Sequence, residues 1–201
     1  MSSSGGVLPL TYRQLGRAEL DVVGRLEFDA GQMERFLGPL ADIIAAVRRG
    51  LAHQMVAIEQ AGELVGFFVI HPDRRNGRLW WLGWFAIDRR RQGAGLGLRA
   101  MQAIMLRLRR IPECREVRLL VAPDNAPALR LYGRAGFLVH GVAEQTGELI
   151  MRCLLAAGRP SSEVPARFWA NAILVQVIAA RICRMGVPAS ALLHGSVAHP
   201  P

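Results

Sequence analysis

The run Arg89-Arg90-Arg91-Gln92-Gly93-Ala94-Gly95-Leu96-Gly97 sets three glycines within five positions, between an apolar stretch at 79–87 and one of helical spacing at 96–110. Glycine lets a backbone approach a ligand closely, because no Cβ stands in the way. A helix that opens at Leu96 leaves its first amide N–H groups without intrahelical partners, and its dipole favours negative charge there. A strand, a glycine-rich turn and a helix N-terminus together make a seat for phosphate or pyrophosphate. The chemistry expected is therefore the binding of an anionic, nucleotide-like cofactor. The run lacks the Lys-Ser/Thr of a P-loop and lies too far into the chain for a typical dinucleotide-binding opening. A second stretch downstream, Asn125-Ala126-Pro127-Ala128-Leu129-Arg130-Leu131-Tyr132-Gly133-Arg134-Ala135-Gly136-Phe137, adds the Tyr132 hydroxyl and the Asn125 amide. On its own pattern Tyr132 reads first as an amphipathic helix residue with a surface hydroxyl, and Asn125 as a helix N-cap.

These groups need a scaffold, and the periodicity supplies one. Residues 9–14 read as a first strand. Helical spacing runs from Arg17 to Phe28 and from Pro39 to Arg49, where Leu40, Ile43, Ile44 and Val47 recur at i, i+3, i+4 and i+7. Pro39 suits the first turn of the second helix and Gly50 its C′ position. Gln54–Glu59 and Leu64–His71 form a hairpin around the turn-like 60–63. The strand Leu79–Ile87 is almost unbroken in its apolar content, which predicts burial on both faces. Alternation sends Trp80 and Trp84 to one face and Trp81 to the other, unless a bulge intervenes. Beyond the glycine turn, Leu96, Met101, Ile104, Met105 and Leu108 line one helical face, and Pro112 ends the helix. Glu116–Val121 reads as a buried strand, followed by a short helix through Ala135 that Asp124 or Asn125 caps and Gly136 ends. Phe137–His140 and Glu148–Leu155 close the domain as an antiparallel pair. The order β-α-α-β-β-β-α-β-α-β-β predicts a three-layer α/β fold.

Residues 1–8 read as a disordered N-terminus, 9–156 as the domain, and 157–201 as a linker, an apolar helix and a disordered end. The apolar stretch 164–185 is interrupted by Asn171, Gln176, Arg181 and Arg184, whereas a membrane span needs about twenty apolar residues in sequence. Packing on the domain, or on a second subunit in a homodimer, is the expectation. Association with a membrane surface is the alternative.

A hydrophobic content of 51% with 20% charged residues is enough to bury a core. The net charge is +9, and every one of the 25 cationic Lys/Arg positions is arginine. These arginines are spread along the chain with no interleaved aromatics, so no nucleic-acid partner is expected. Cys114, Cys153 and Cys183 are odd in number and far apart. That spacing argues against a disulfide framework and against a metal site, and points to a reducing cytoplasm.

At its two motifs the chain resembles the GNAT superfamily of acyl-CoA-dependent N-acetyltransferases. The family's pyrophosphate loop, Gln/Arg-x-x-Gly-x-Gly/Ala, is matched by Gln92, Gly95 and Gly97. Its later Asn-x-x-Ala-x-x-x-Tyr-x-x-x-Gly-Phe is matched by Asn125, Ala128, Tyr132, Gly136 and Phe137. The resemblance covers roughly residues 9–155. From Trp81 to Met151 the chain looks most like the diamine/spermidine acetyltransferase-like group, through Ile87-Asp88, Arg130-Leu131-Tyr132 and Gly147-Glu148-Leu149-Ile150-Met151.

The resemblance implies a three-layer GNAT-like fold whose mixed central sheet is splayed between the fourth and fifth strands, with acetyl-CoA as co-substrate in the splay. Backbone groups at Phe85, Ala86 and Ile87 would pair with the pantetheine arm as an added strand. Those at Gln92, Gly93, Ala94, Gly95, Leu96 and Gly97 would hold the pyrophosphate. Asn125 would position the cofactor or the helix, an N–H near Ala86 would face the oxyanion, and Tyr132 would protonate the leaving thiolate. The acceptor would be a primary amine, small and polyamine-like or the N-terminus of a peptide or protein. A non-catalytic acyl-CoA-binding module is the alternative from another class. Glu27 and Glu34, with Asp29, form the acidic cluster available to a cationic acceptor, and Trp84 could offer it an aromatic wall. Strand 79–87 carries no carboxylate or histidine where many family members have one. The base is thus left to Glu27, Asp29, Glu34, His53, His71, a water chain or an amine arriving neutral.

Overall fold

Alternating apolar residues along the strands sort into two cores, one on each side of a single sheet. The structure, a computed structural model, describes residues 8–155. The expectations for the N-terminal tail, the linker, the apolar stretch 164–185 and Cys183 lie outside the described residues. The strands are β1 (Leu10–Gln14), β2 (Gln54–Gln60), β3 (Glu63–Pro72), β4 (Leu79–Ile87), β5 (Glu116–Val121), β6 (Leu138–Val142) and β7 (Leu149–Leu154). The α-helices are α1 (Ala30–Gln32), α2 (Leu40–Arg49), α3 (Leu96–Arg109) and α4 (Ala126–Arg134). The seven strands lie in the order β1-β2-β3-β4-β5-β7-β6, antiparallel throughout except for β4 beside β5. On β2, Val56 and Ile58 join Met101, Ile104 and Leu108 of α3 in one core. Met55 and Ala57 join Ile43, Ile44 and Val47 of α2 in the other. The architecture is three-layered, as the resemblance implies.

Two adjacent strands part company at the centre of the sheet. β4 pairs with β5 only over Leu79–Trp81 and Glu116–Arg118. Beyond that point β4 stays with β3, and Leu119–Val121 stays with β7. The parting opens a V between the C-terminal halves of β4 and β5. It also explains why Gly83–Ala86 are only half-buried despite their apolar run.

Three local expectations are corrected. The stretch 17–28 is not an α-helix but a 3₁₀ turn over Leu20–Arg25. Its buried residues Leu20 and Val23, with the buried Leu26 that follows it, recur every third position, which suits three residues per turn. Gly50 does not enter the left-handed region, having φ −82°. Glycine is needed there because a Cβ would stand 2.0 Å from Nδ1 of His53. Trp80 and Trp84 lie on opposite faces. Val69 opposes Trp84 while Ile70 opposes Leu82, so Gly83 is an extra residue that reverses the alternation. Trp80 is therefore buried in the α3-side core, and Trp84 packs on the α2-side core.

A helical segment at 30–37 has no forerunner in the periodicity. It begins as α1 and widens into a π-turn over Met33–Leu37. None of its residues is fully buried, so no apolar stripe announces it. The signals it does carry are its ends. Asp29 Oδ1 accepts from the Gln32 amide at 3.0 Å, and Gly38 leaves the helix at φ 79°.

Candidate active site

The V between β4 and β5 continues into a cleft of about 550 Å³ that runs from the glycine turn to the segment 30–37. Phe85, Ala86, Ile87, Gln92, Gly93, Gly95, Leu96, Gly97, Asn125 and Tyr132 all line it, and Trp84 forms part of its wall. Ala94 is exposed and does not line it.

At one end the turn is built for backbone approach. Asp88 is buried and caps a short 3₁₀ turn over Arg89–Arg91. Its Oδ1 accepts from the Arg90 amide at 2.8 Å, and its Oδ2 from Arg90 Nη2 at 2.7 Å and the Glu27 amide at 3.1 Å. The Arg90 guanidinium and these amides hold the Asp88 carboxyl well below the usual range, against the opposing effect of burial. Gln92 Nε2 donates to the Ile87 carbonyl at 2.9 Å and ties the turn to the end of β4. Gly93 and Gly95 follow at φ 83° and 72°. In one respect the turn departs from expectation: the Gln92 amide already donates to Arg89 O at 3.3 Å. Among the described residues, the amides of Gly93 to Gly97 have no backbone partner. Those five N–H groups, at the start of a fourteen-residue helix, suit a pyrophosphate.

Midway along the cleft α4 presents Tyr132. Asn125 Oδ1 caps α4 by accepting from the Ala128 amide at 3.2 Å. Asp124 is engaged instead by Arg35 of the segment 33–37. The Tyr132 ring rests against Phe137 with centroids 6.0 Å apart, and burial pushes its hydroxyl up to about 12. Tyr132 thus belongs to the cleft and not to an exposed helix face.

The far end is largely apolar, walled by Phe28, Met33, Phe36, Leu37 and Trp84. Neither Glu27 nor Glu34 lines it. Glu27 is drawn to the arginine run, within 3.2 Å of Arg89 and 3.1 Å of Arg90, and Asp29 is the helix cap. His53 and His71 stack on each other with centroids 4.3 Å apart, outside the cleft lining. Burial and the neighbouring His71 lower His53 to about 4. The acid that does line the cleft is Glu148, which sequence reasoning quoted only as part of a pattern. Among the described residues, no three His, Cys, Asp or Glu groups are arranged to hold a metal, and no helix is long and apolar enough to cross a membrane.

Against this geometry, a model of the acetyltransferase (GNAT) family matches residues 25–137. The spermine/spermidine N(1)-acetyltransferase of Bacillus subtilis strain 168 is 36% identical over 105 residues, or 49% of this chain and 68% of that protein. Among solved structures, the Vibrio cholerae spermidine N-acetyltransferase in complex with CoA and spermine superposes with a TM-score of 0.60. It is 19% identical, over 74% of this chain and 96% of that one. The aminoglycoside acetyltransferase AAC(6')-Ib in complex with coenzyme A also gives a TM-score of 0.60, at 18% identity over 73% of this chain and 95% of that one. These two structural likenesses bear on the fold.

Proposed function

The chain belongs to the GNAT acetyltransferase family, and from that membership we propose that it transfers acetyl from acetyl-CoA to a primary amine of a small cationic, polyamine-like acceptor. The observation that carries this reading is the parting of β4 from β5 directly beside the glycine turn at the start of α3. The freed edge of β4 at Phe85–Ile87 offers backbone partners to an extended pantetheine arm, and the free amides of Gly93 to Gly97 suit its pyrophosphate. Acetyl-CoA supplies the thioester, an acyl group with a thiolate leaving group. A backbone N–H near Ala86 is the donor for the oxyanion. Tyr132, kept protonated by burial, gives its proton to the departing sulfur, and the proton that the attacking nitrogen sheds as the amide forms restores the phenol. Asn125 holds the α4 N-terminus, and with it the approach of Tyr132 to the cleft.

The amine acceptor is supported by the similarity to the Bacillus subtilis enzyme over half of this chain. The test is release of free thiol from acetyl-CoA, measured with a panel of mono-, di- and triamines and of peptides with free N-termini. Turnover on small amines is expected. Turnover on peptides alone would replace the acceptor with a protein N-terminus. Coenzyme A binding with no turnover on any amine would make the chain a binding module.

A further inference from the structure

Glu148 stands just before β7, where Leu149 pairs with Val121 at the end of β5. It is set by a tight turn. Its carbonyl accepts from the Ala143 amide at 2.8 Å, and its own amide donates to Thr146 Oγ1 at 3.4 Å. The register therefore brings its side chain to the open end of the V, where it joins the cleft lining. Among the described lining residues Glu148 carries the sole carboxyl group. Its Oε2 is shut off from solvent and has no hydrogen-bond partner. A carboxylate oxygen in that state is costly to leave unpaired, and the oxygen is an acceptor only. Aromatic Phe28, Phe36 and Trp84 line the same cleft. A carboxylate and aromatic faces in one cleft are a recognition set for an ammonium group.

We infer that Glu148 anchors a second, non-reacting ammonium of the acceptor and so selects diamines and longer polyamines over monoamines. This rests on the acetyl-transfer reading above. The reasoning turns on charge state. The nitrogen that attacks the thioester must expose a lone pair, so it cannot be the one held as a cation through the reaction. A lasting ion pair with Glu148 therefore requires another nitrogen on the same molecule. The acidic cluster does not serve in its place: Glu27 is tied to Arg89 and Arg90, Asp29 to the Gln32 amide, and Glu34 does not line the cleft.

The experiment compares butane-1,4-diamine and spermidine with butylamine as acceptors, for the full chain and for Glu148→Gln. The unaltered protein should prefer the diamine by about 10-fold or more in kcat/KM. Glu148→Gln should erase that preference, mostly through the KM of the diamine. Its affinity for acetyl-CoA should stay within about two-fold, and its kcat/KM on butylamine should fall by far less than that on the diamine. Glu148→Asp should restore part of the preference. If Glu148→Gln does not fold, as judged by lost acetyl-CoA binding, the Asp variant carries the test. It should then weaken the diamine and spare butylamine. A preference unchanged in the variants overturns the inference. So does an equal fall for diamine and monoamine, which would put the carboxylate at the reacting nitrogen. In both cases the acetyl-transfer reading stands. Failure of the unaltered protein to acetylate any amine would instead bring down that reading, and the inference with it.

Discussion

Burial decides what Tyr132 can contribute. With its ring against Phe137 and its hydroxyl pushed up to about 12, it stays protonated across the neutral range, as the proposed donor must. Tyr132→Phe keeps the ring packing and removes the proton. Turnover should fall by about 10²-fold with acetyl-CoA affinity unchanged, since general acids typically contribute 10²–10⁴. Unaltered turnover would take Tyr132 out of the reaction. The glycines of the turn divide by conformation. Gly95 sits at φ 72° with open space around a built Cβ, so alanine there is strained by roughly 1–2 kcal/mol without a clash. Gly95→Ala should lower the melting temperature by a few degrees and weaken coenzyme A binding in calorimetry. At Gly97 the φ is not positive, and a Cβ would meet Leu131 at an ordinary 3.7 Å. Gly97→Ala should therefore bind coenzyme A within about two-fold of the parent. Such a contrast was legible only in part from the sequence, which shows three glycines but not which of them the backbone requires.

Where elements meet, the close approach of β3 to β4 and the Asp88 turn hold the cleft wall. A Cβ on Gly66 would stand 2.5 Å from the Ala86 carbonyl oxygen, so alanine there must displace backbone at the edge offered to the cofactor. Overpacking of this kind costs about 1–3 kcal/mol. Gly66→Ala should lose that stability in urea unfolding and raise the KM for acetyl-CoA. Asp88 makes stability depend on pH. Its folded carboxyl lies below the unfolded value of about 3.9. The stability it contributes is thus full above that value and is lost as pH falls through the lower, folded one. Asp88→Asn should be less stable than the parent at pH 7, by about 1–3 kcal/mol. The gap should begin to shrink below pH 4 and go on shrinking as pH falls towards the folded value, as read from urea melts at pH 7, 4 and 2. A gap undiminished at pH 2 would mean that shape, not charge, holds the turn.

For the molecule as a whole, the charge of +9 acts oppositely on acetyl-CoA and on the acceptor proposed above. It attracts an anionic cofactor and repels a cationic amine, and added salt screens both effects. Raising ionic strength at constant pH should raise the KM for acetyl-CoA and lower the KM for a diamine. Parallel movement of the two constants would show that the charge plays no part in their encounter with the cleft. The repulsion also gives a carboxylate inside the cleft its importance, because the surrounding field offers a cationic acceptor no help.

The sequence by itself determined the donor side. A strand, a glycine turn, a helix and the Asn125–Phe137 run are local patterns, written in the periodicity and conformational needs of neighbouring residues. They appear in the structure within a residue or two of where they were read. The acceptor side was decided only by tertiary structure. Gly83 becomes a bulge because β3 pairs with β4 in a shifted register, and that shift, not the alternation, turns Trp84 away from Trp80. Glu27 looked available until Arg89 and Arg90, more than sixty residues away, closed on it. Glu148 read only as the first residue of a strand and one letter of a pattern until β7 paired with β5 and brought it to the open V. Local pattern can state what a residue is able to do. Which charges meet, and which acid is left lining the cleft, follows from strand pairings between segments far apart in the chain.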